Sequence, residues 1–165
     1  LIISDVAVIP LPDFKQKMVQ ICYLARTANL LGIATPKIAC IAPSEQLLPN
    51  VISSTEGALL AKMADRGQLG NVVVDGPLSL DVALYKEVAE HKKVKGSSVA
   101  GDPDCLLFPN LESANVFFKS VSHLCGGELA AMVMGTKVPC VLTSRGDTSK
   151  TKLFSIALAC LAVKK

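Results

Sequence analysis

The chain of 165 residues contains no tryptophan, and aromatic residues make up only 4% of it. Its core must therefore be built from Ala, Val, Leu and Ile. Half of the residues are hydrophobic and only 19% are charged, a balance that argues against a disordered chain. Arginine is scarce: Arg26, Arg66 and Arg145 are three of seventeen cations, and the net charge is only +3. Nucleic-acid binding needs a concentrated basic patch, which this sequence lacks. Long apolar runs are missing too. The longest, Leu153–Val163, has eleven residues between Lys152 and Lys164, against the ~20 that a spanning helix needs. No signal peptide or lipidation motif is visible. There is no initiator Met, and the strand-like start Leu1-Ile2-Ile3 leads us to expect further residues upstream.

The six cysteines, Cys22, Cys40, Cys105, Cys125, Cys140 and Cys160, include no C-x-x-C pair. Most lie inside apolar strand or helix patterns, so small buried thiols in a reducing cytoplasm are expected rather than disulfides or a zinc site. His123-Leu124-Cys125 has no second ligand pair to match it, and no metal is expected. Also absent are a Walker loop, a G-x-G-x-x-G fingerprint and a G-x-S-x-G elbow.

What is present is an alternation of strand-like and helix-like segments. Leu1–Ile9 reads as a strand stopped by Pro10 and Pro12. Asp13 then caps a helix whose apolar residues Phe14, Met18, Ile21, Ala25 and Ala28 recur every three or four positions, up to Gly32. Lys37–Ala42 is a short strand, and Ser53 and Glu56 have capping-box spacing ahead of a helix over Gly57–Asp65. Val72–Val74 reads as a strand covered on both faces, followed by a helix over Ser79–His91 and a loop over Lys92–Gly101. Cys105–Phe108 is a strand and Leu111–Leu124 a helix. Gly126-Gly127 precedes two more strands, Leu129–Met134 and Val138–Thr143. A last helix runs to Ala162 and is apolar nearly all round, so burial on more than one side is expected. The alternation predicts an α/β fold, layered, with a mainly parallel sheet and flanking helices.

In such sheets ligands bind at the carboxyl ends of strands. Two strand ends stand out. At Thr143-Ser144-Arg145-Gly146-Asp147-Thr148-Ser149, hydroxyls, a guanidinium and a helix start supply the parts of an anion cradle. A capped turn with a solvated Arg is the competing reading. At Asp75-Gly76-Pro77-Leu78-Ser79-Leu80-Asp81, a turn and an early helical carboxylate suggest a second candidate, with capping and dipole compensation as the plainer account.

Several segments together resemble the phosphate acetyl/butyryltransferase family, closest to its phosphate butyryltransferase branch. They are Asp5–Val8, Lys62–Gln68, Asp75–Asp81, Val99–Asp104, Pro109–Asn115, Lys137–Arg145 and Thr151–Ala159. The resemblance implies an acyltransferase that moves a short-chain acyl group between coenzyme A and inorganic phosphate, in an isocitrate/isopropylmalate dehydrogenase-like fold with the active site in a cleft. Family chains run to roughly twice this length. Residues 1–132 would then be the family's second α/β domain and 133–165 a strand-helix segment returning to the first. Without most of that first domain, the chain alone is expected to turn over little.

By the same resemblance Ser144 and Arg145 match the active-site Ser-Arg motif, with Arg145 on the phosphoryl group and Ser144 donating to the reacting centre. Asn115 and Lys119 match an Asn and a Lys of the family's helix, and a surface cation competes as the reading of Lys119. Acetyl-transferring relatives place an Asp where Thr151 stands and tend to carry an Arg where His123 stands. Both departures favour the butyryl branch and leave the base unassigned, Asp147 being the nearest carboxylate. The implied mechanism is direct displacement without metal, cofactor or covalent intermediate; acyl-CoA and phosphate are the partners, and a homo-oligomer is expected. The alternatives are a non-catalytic assembly or ligand-binding piece, a phosphate acetyltransferase, and an acyl-carrier-protein-dependent phosphate acyltransferase of the same fold.

Overall fold

A computed structural model describes residues 1–163, and the chain divides into two compact units, Leu1–Asn115 and Val116–Lys165. In the first unit four strands, β1 (Ile2–Ser4), β2 (Lys37–Ile41), β3 (Val73–Leu78) and β4 (Cys105–Leu107), form one sheet in the order β1-β4-β2-β3. Every pairing is parallel, so each strand must be followed by a crossover, and helices supply it. α1 (Phe14–Leu30) joins β1 to β2, and α2 (Ile52–Asp65) joins β2 to β3. α3 (Leu80–Leu84) and α4 (Lys86–His91) lie between β3 and β4. The expected helix over Ser79–His91 is thus two short ones, because Tyr85 adopts an extended conformation between them.

Side-chain alternation along the strands sets the layers. Ile38 and Cys40 of β2, Cys105 and Leu107 of β4 and Val74 of β3 point to one face. There they pack with Ile21, Leu24 and Ala28 of α1 and Leu60 of α2. Ala39, Ile41 and Leu106 point to the other face and are buried too, as a parallel sheet covered on both sides requires. No aromatic ring appears among the largest fully buried side chains. The aliphatic core expected from composition is the one observed.

Local sequence explains most of the boundaries. Asp13 closes a capping box at α1: its Oδ1 accepts from the Gln16 N–H, and Gln16 Oε1 accepts from the Asp13 N–H, both at 2.8 Å. The box expected at Ser53 and Glu56 does not form. α2 begins one residue earlier, at Ile52, and Ser53 and Glu56 lie inside it. Ser54, fully buried, accepts from the Leu48 N–H at 2.8 Å and donates to the Gln46 carbonyl at 3.2 Å, tying down the preceding loop. Nor does the chain turn at Asp75-Gly76-Pro77. β3 continues through it to Leu78, which is tolerable for Pro77 because β3 is an edge strand. Gly76 is required there, since a Cβ would lie 2.6 Å from the Cβ of Cys40.

α5 (Leu111–His123) starts in the first unit, where Asn110 Oδ1 accepts from the Ser113 N–H at 2.9 Å. The second unit departs most from expectation. The two strands expected over 129–143 are reduced to one antiparallel bridge between Val133 and Cys140. A two-stranded ribbon has little stability of its own, and no further strand is present in that unit among the described residues. α6 (Ser149–Ala162) forms as expected behind its N-cap Thr148. It buries only Ser155 and Ala159, whereas Leu153, Ile156 and Leu161 are exposed. The expected burial on more than one side is therefore not seen. The cysteines also need correcting. All six are free, but only Cys40 and Cys105 are buried, while Cys22, Cys125, Cys140 and Cys160 are exposed.

Candidate active site

Thr143, Ser144, Arg145 and Asp147 lie together in the turn that leads into α6 of the second unit. The Ser144 N–H donates to Asp147 Oδ2 at 2.7 Å, and the Asp147 N–H returns a bond to the Ser144 carbonyl at 3.1 Å. The carboxylate of Asp147 thus fixes the turn, a local use that Asp favours. Thr148 then caps α6 by accepting from the Thr151 N–H at 3.1 Å, with the two hydroxyls 3.1 Å apart. This leaves Ser144 and Arg145 exposed at the entrance of a capped helix. Ser144 and Arg145 thus stand a few residues ahead of the α6 N-terminus, and a hydroxyl, a guanidinium and a helix start are the groups from which an anion cradle is built.

Asn115 lies in the first unit and is already engaged. Its Nδ2 donates to the Val6 carbonyl at 2.9 Å. Val6 belongs to the loop after β1, which wraps around Asp5: Oδ1 accepts from the N–H groups of Ala7 and Val8 at 3.0 Å, and Oδ2 from that of Ile9 at 2.8 Å. The amide nitrogen of Asn115 therefore pins a loop at the carboxyl edge of the sheet. Lys119, further along α5 in the second unit, lies over the adjacent Phe118 ring, 4.6 Å from its centroid.

The Asp75–Asp81 segment is held by a polar cluster. Lys92 Nζ donates to Asp81 Oδ2 at 3.0 Å, and Glu45 Oε2 lies 3.5 Å away. Ser79 Oγ donates to Glu45 at 3.2 Å. Hydrogen bonds from Ser79 and from Lys92 hold the Asp81 carboxyl down at about 2. The cluster ties the loop after β2 to α3 and the end of α4, which fits the structural account of Asp81 better than a catalytic one.

One group was not marked by the sequence reasoning. Lys17 of α1 is buried, and its Nζ lies 2.5 Å from Glu56 Oε2 of α2. The pair borders a crevice whose other walls include Cys40, Ile41, Leu107 and Phe108 at the carboxyl ends of β2 and β4. Burial, chiefly, pushes the Cys40 thiol up to about 12, so it is a neutral wall rather than a nucleophile. The available signal was positional. Lys17 stands three residues after Phe14 and four before Ile21, on the stripe that otherwise carries the core.

Comparison with known proteins adds what the residues alone do not give. The chain matches the family model described as phosphate acetyl/butaryl transferase over residues 1–160. It is 43% identical over 161 residues to the phosphate butyryltransferase of Clostridium acetobutylicum, covering 98% of this chain and 53% of that protein. It is 41% identical over 159 residues to the phosphate acetyltransferase of Thermotoga maritima, covering 96% of this chain and 54% of that one. A crystal structure of a branched-chain phosphotransacylase from Enterococcus faecalis superposes with a TM-score of 0.88 at 30% identity, covering 96% of this chain and 56% of the other. The chain thus spans about half the length of the curated relatives it matches. With a family match over nearly its whole length, the chain belongs to the phosphate acetyl/butaryl transferase family.

Proposed function

We propose that the protein carrying this chain is a phosphate butyryltransferase-like enzyme that moves a short-chain acyl group between coenzyme A and inorganic phosphate. The observation that carries this reading is the family match across residues 1–160, together with 43% identity to a curated phosphate butyryltransferase. The isolated turn at Ser144-Arg145 supplies chemistry suited to it. Arg145 grips the phosphoryl oxygens with its planar fork, and Ser144 donates to the reacting centre. Asn115 and Lys119 serve substrate binding from α5. Thr143 adds a hydroxyl to the cradle.

The similar identity to a phosphate acetyltransferase, 41%, means that overall similarity does not choose between acyl groups. Thr151 and His123, which stand where acetyl-transferring relatives are expected to carry Asp and Arg, favour the butyryl branch. Direct displacement serves this chemistry without metal or cofactor: a thiol of pKa ~8.5 is already a few per cent thiolate at pH 7, so a dedicated base is less necessary. In our reading the fold is isocitrate/isopropylmalate dehydrogenase-like, with residues 1–132 as the second domain and 133–165 returning to the first. We place the enzyme in the cytoplasm as a homo-oligomer; six free cysteines suit a reducing compartment.

The test is a comparison of initial rates with the protein made from its complete coding sequence. Phosphate-dependent release of CoA should be faster from butyryl-CoA than from acetyl-CoA. Equal or reversed preference would move the chain to the acetyl branch, and no release from either would defeat the reading.

A further inference from the structure

Within the first unit, the loop after β1 and the start of α5 meet at the carboxyl ends of two neighbouring strands. β1 pairs with β4 from Ile2↔Cys105 to Ser4↔Leu107, and the chain leaves each strand into one of these segments. That edge is where open α/β sheets receive ligands. Three hydrogen bonds knit the two segments together. The Phe108 N–H donates to the Ser4 carbonyl at 3.2 Å, the Leu111 N–H to the Pro10 carbonyl at 3.0 Å, and Asn115 Nδ2 to the Val6 carbonyl at 2.9 Å. Of these, the third comes from a side chain, the one we assign to substrate binding.

Packing does little to hold the tip of the loop. Ala7, Val8 and Pro10 are exposed, and Val8 keeps 58% of its surface in solvent. Asp5 supplies the order instead. Its carboxylate spans the loop, Oδ1 accepting from the N–H groups of Ala7 and Val8 and Oδ2 from that of Ile9. Val6 lies inside that ring of bonds, so the direction of its carbonyl is set by Asp5. A carbonyl oxygen can only accept, hence the amide nitrogen of Asn115 faces it and Oδ1 is the other end of the amide. One carboxylate thus governs both where the Asn115 amide is held and which way round it lies.

We propose that Asp5 is a positioning residue for the acyl transfer: it fixes the Val6 carbonyl, and through it the Asn115 amide, in the orientation in which Asn115 meets substrate. The inference rests on the reading of Asn115 as a substrate-binding residue and deepens it. Asp5 itself touches no reacting atom, since its oxygens are spent on the backbone of its own loop. Its effect on the reaction passes through Asn115 alone. Both residues belong to the first unit.

The experiment measures kcat and the KM of butyryl-CoA and of phosphate for the complete protein, alongside melting temperatures. The variants are Asp5→Asn, Asn115→Ala and the two combined. Asparagine also supports turns of this kind, so Asp5→Asn should fold. It keeps one acceptor oxygen and sets an amide N–H where a carboxylate oxygen met the backbone. Each single variant should lower kcat/KM by about tenfold to a hundredfold, the scale on which a misplaced group costs rate. Both should change the same parameter, either kcat or the KM of the same substrate. The combined variant should be no slower than the worse single one, because both act on one contact. A purely structural Asp5 predicts a lower melting temperature with the kinetics of the folded enzyme unchanged. That result would overturn the proposal, as would additive losses in the combined variant. Should Asp5→Asn fail to fold, Asp5→Ser, whose hydroxyl accepts more weakly in such turns, takes its place under the same expectations. Failure of both to fold would make Asp5 a residue of stability alone and also overturn the proposal. Wild-type kinetics in Asn115→Ala would remove Asn115 from substrate binding, so this inference would fall while acyl transfer stood. If the unmodified protein releases no CoA from butyryl-CoA or acetyl-CoA, it is the acyl-transfer reading that fails, and this one with it.

Discussion

Arg145 is exposed in the turn before α6, with no ion pair among the described residues. A residue so placed contributes little to folding, so its substitution reports on binding. Loss of a charge-assisted, bidentate contact is worth about 1.5–3 kcal/mol. Arg145→Ala should therefore lower kcat/KM tenfold to a hundredfold at an unchanged melting temperature, since ~1.4 kcal/mol is a factor of ten. Arg145→Lys keeps the charge without the planar fork and should recover only part of the activity. Phosphate and acyl-CoA titrations check both variants, and wild-type kinetics in Arg145→Ala would remove the residue from the site. The sequence could nominate Arg145 because a lone guanidinium between a hydroxyl and a helix start is visible without coordinates. It could not reveal Lys17, whose partner Glu56 lies 39 positions away; only the packing of α1 and α2 on one sheet face joins them. Nor could it show that Asn115 reaches back to Val6 across 109 positions.

Elements defined by local chemistry were legible. α1 announces itself through Asp13, Gln16 and a regular apolar stripe, and α6 through Thr148, because capping and periodicity are written within one or two turns. β3 and the region 129–143 were misjudged for the opposite reason. Whether Gly76-Pro77 bends or continues a strand depends on Cys40 beside it, and whether two apolar runs become strands depends on a neighbouring sheet to join. Lys92 illustrates a link between elements with a measurable consequence. Hydrogen bonding from Ser79, and then from Lys92, holds Asp81 at about 2, below the usual 3.8, while a backbone hydrogen bond, helped by Lys92 and Ser79, keeps Glu45 low as well. Because the folded Asp81 is the stronger acid, its contribution to stability is present above about pH 4 and fades as pH falls toward 2. Asp81 is half exposed, so the contribution should stay below about 1 kcal/mol. Asp81→Asn should lower the urea midpoint at pH 7 and converge with wild type by pH 2. A gap that persists unchanged at pH 2 would show that the ion pair is not its source.

At the scale of the fold, the parallel sheet of the first unit, with its aliphatic core and flanking helices, places loops and helix starts along one edge, where open α/β sheets receive ligands. That much followed from alternating apolar segments, and the family followed from motifs spread along the chain. What the chemistry of transfer demands is stricter than either: the acyl group must end on phosphate, not on water. The most direct test is a ³¹P NMR time course of the complete protein with butyryl-CoA and inorganic phosphate, with thiol release followed in parallel. The account predicts a new acyl-phosphate resonance that grows in step with free CoA, one for one, and runs backward when butyryl phosphate and CoA are supplied instead. CoA release with no acyl phosphate, leaving free butyrate, would mark a thioester hydrolase and contradict it.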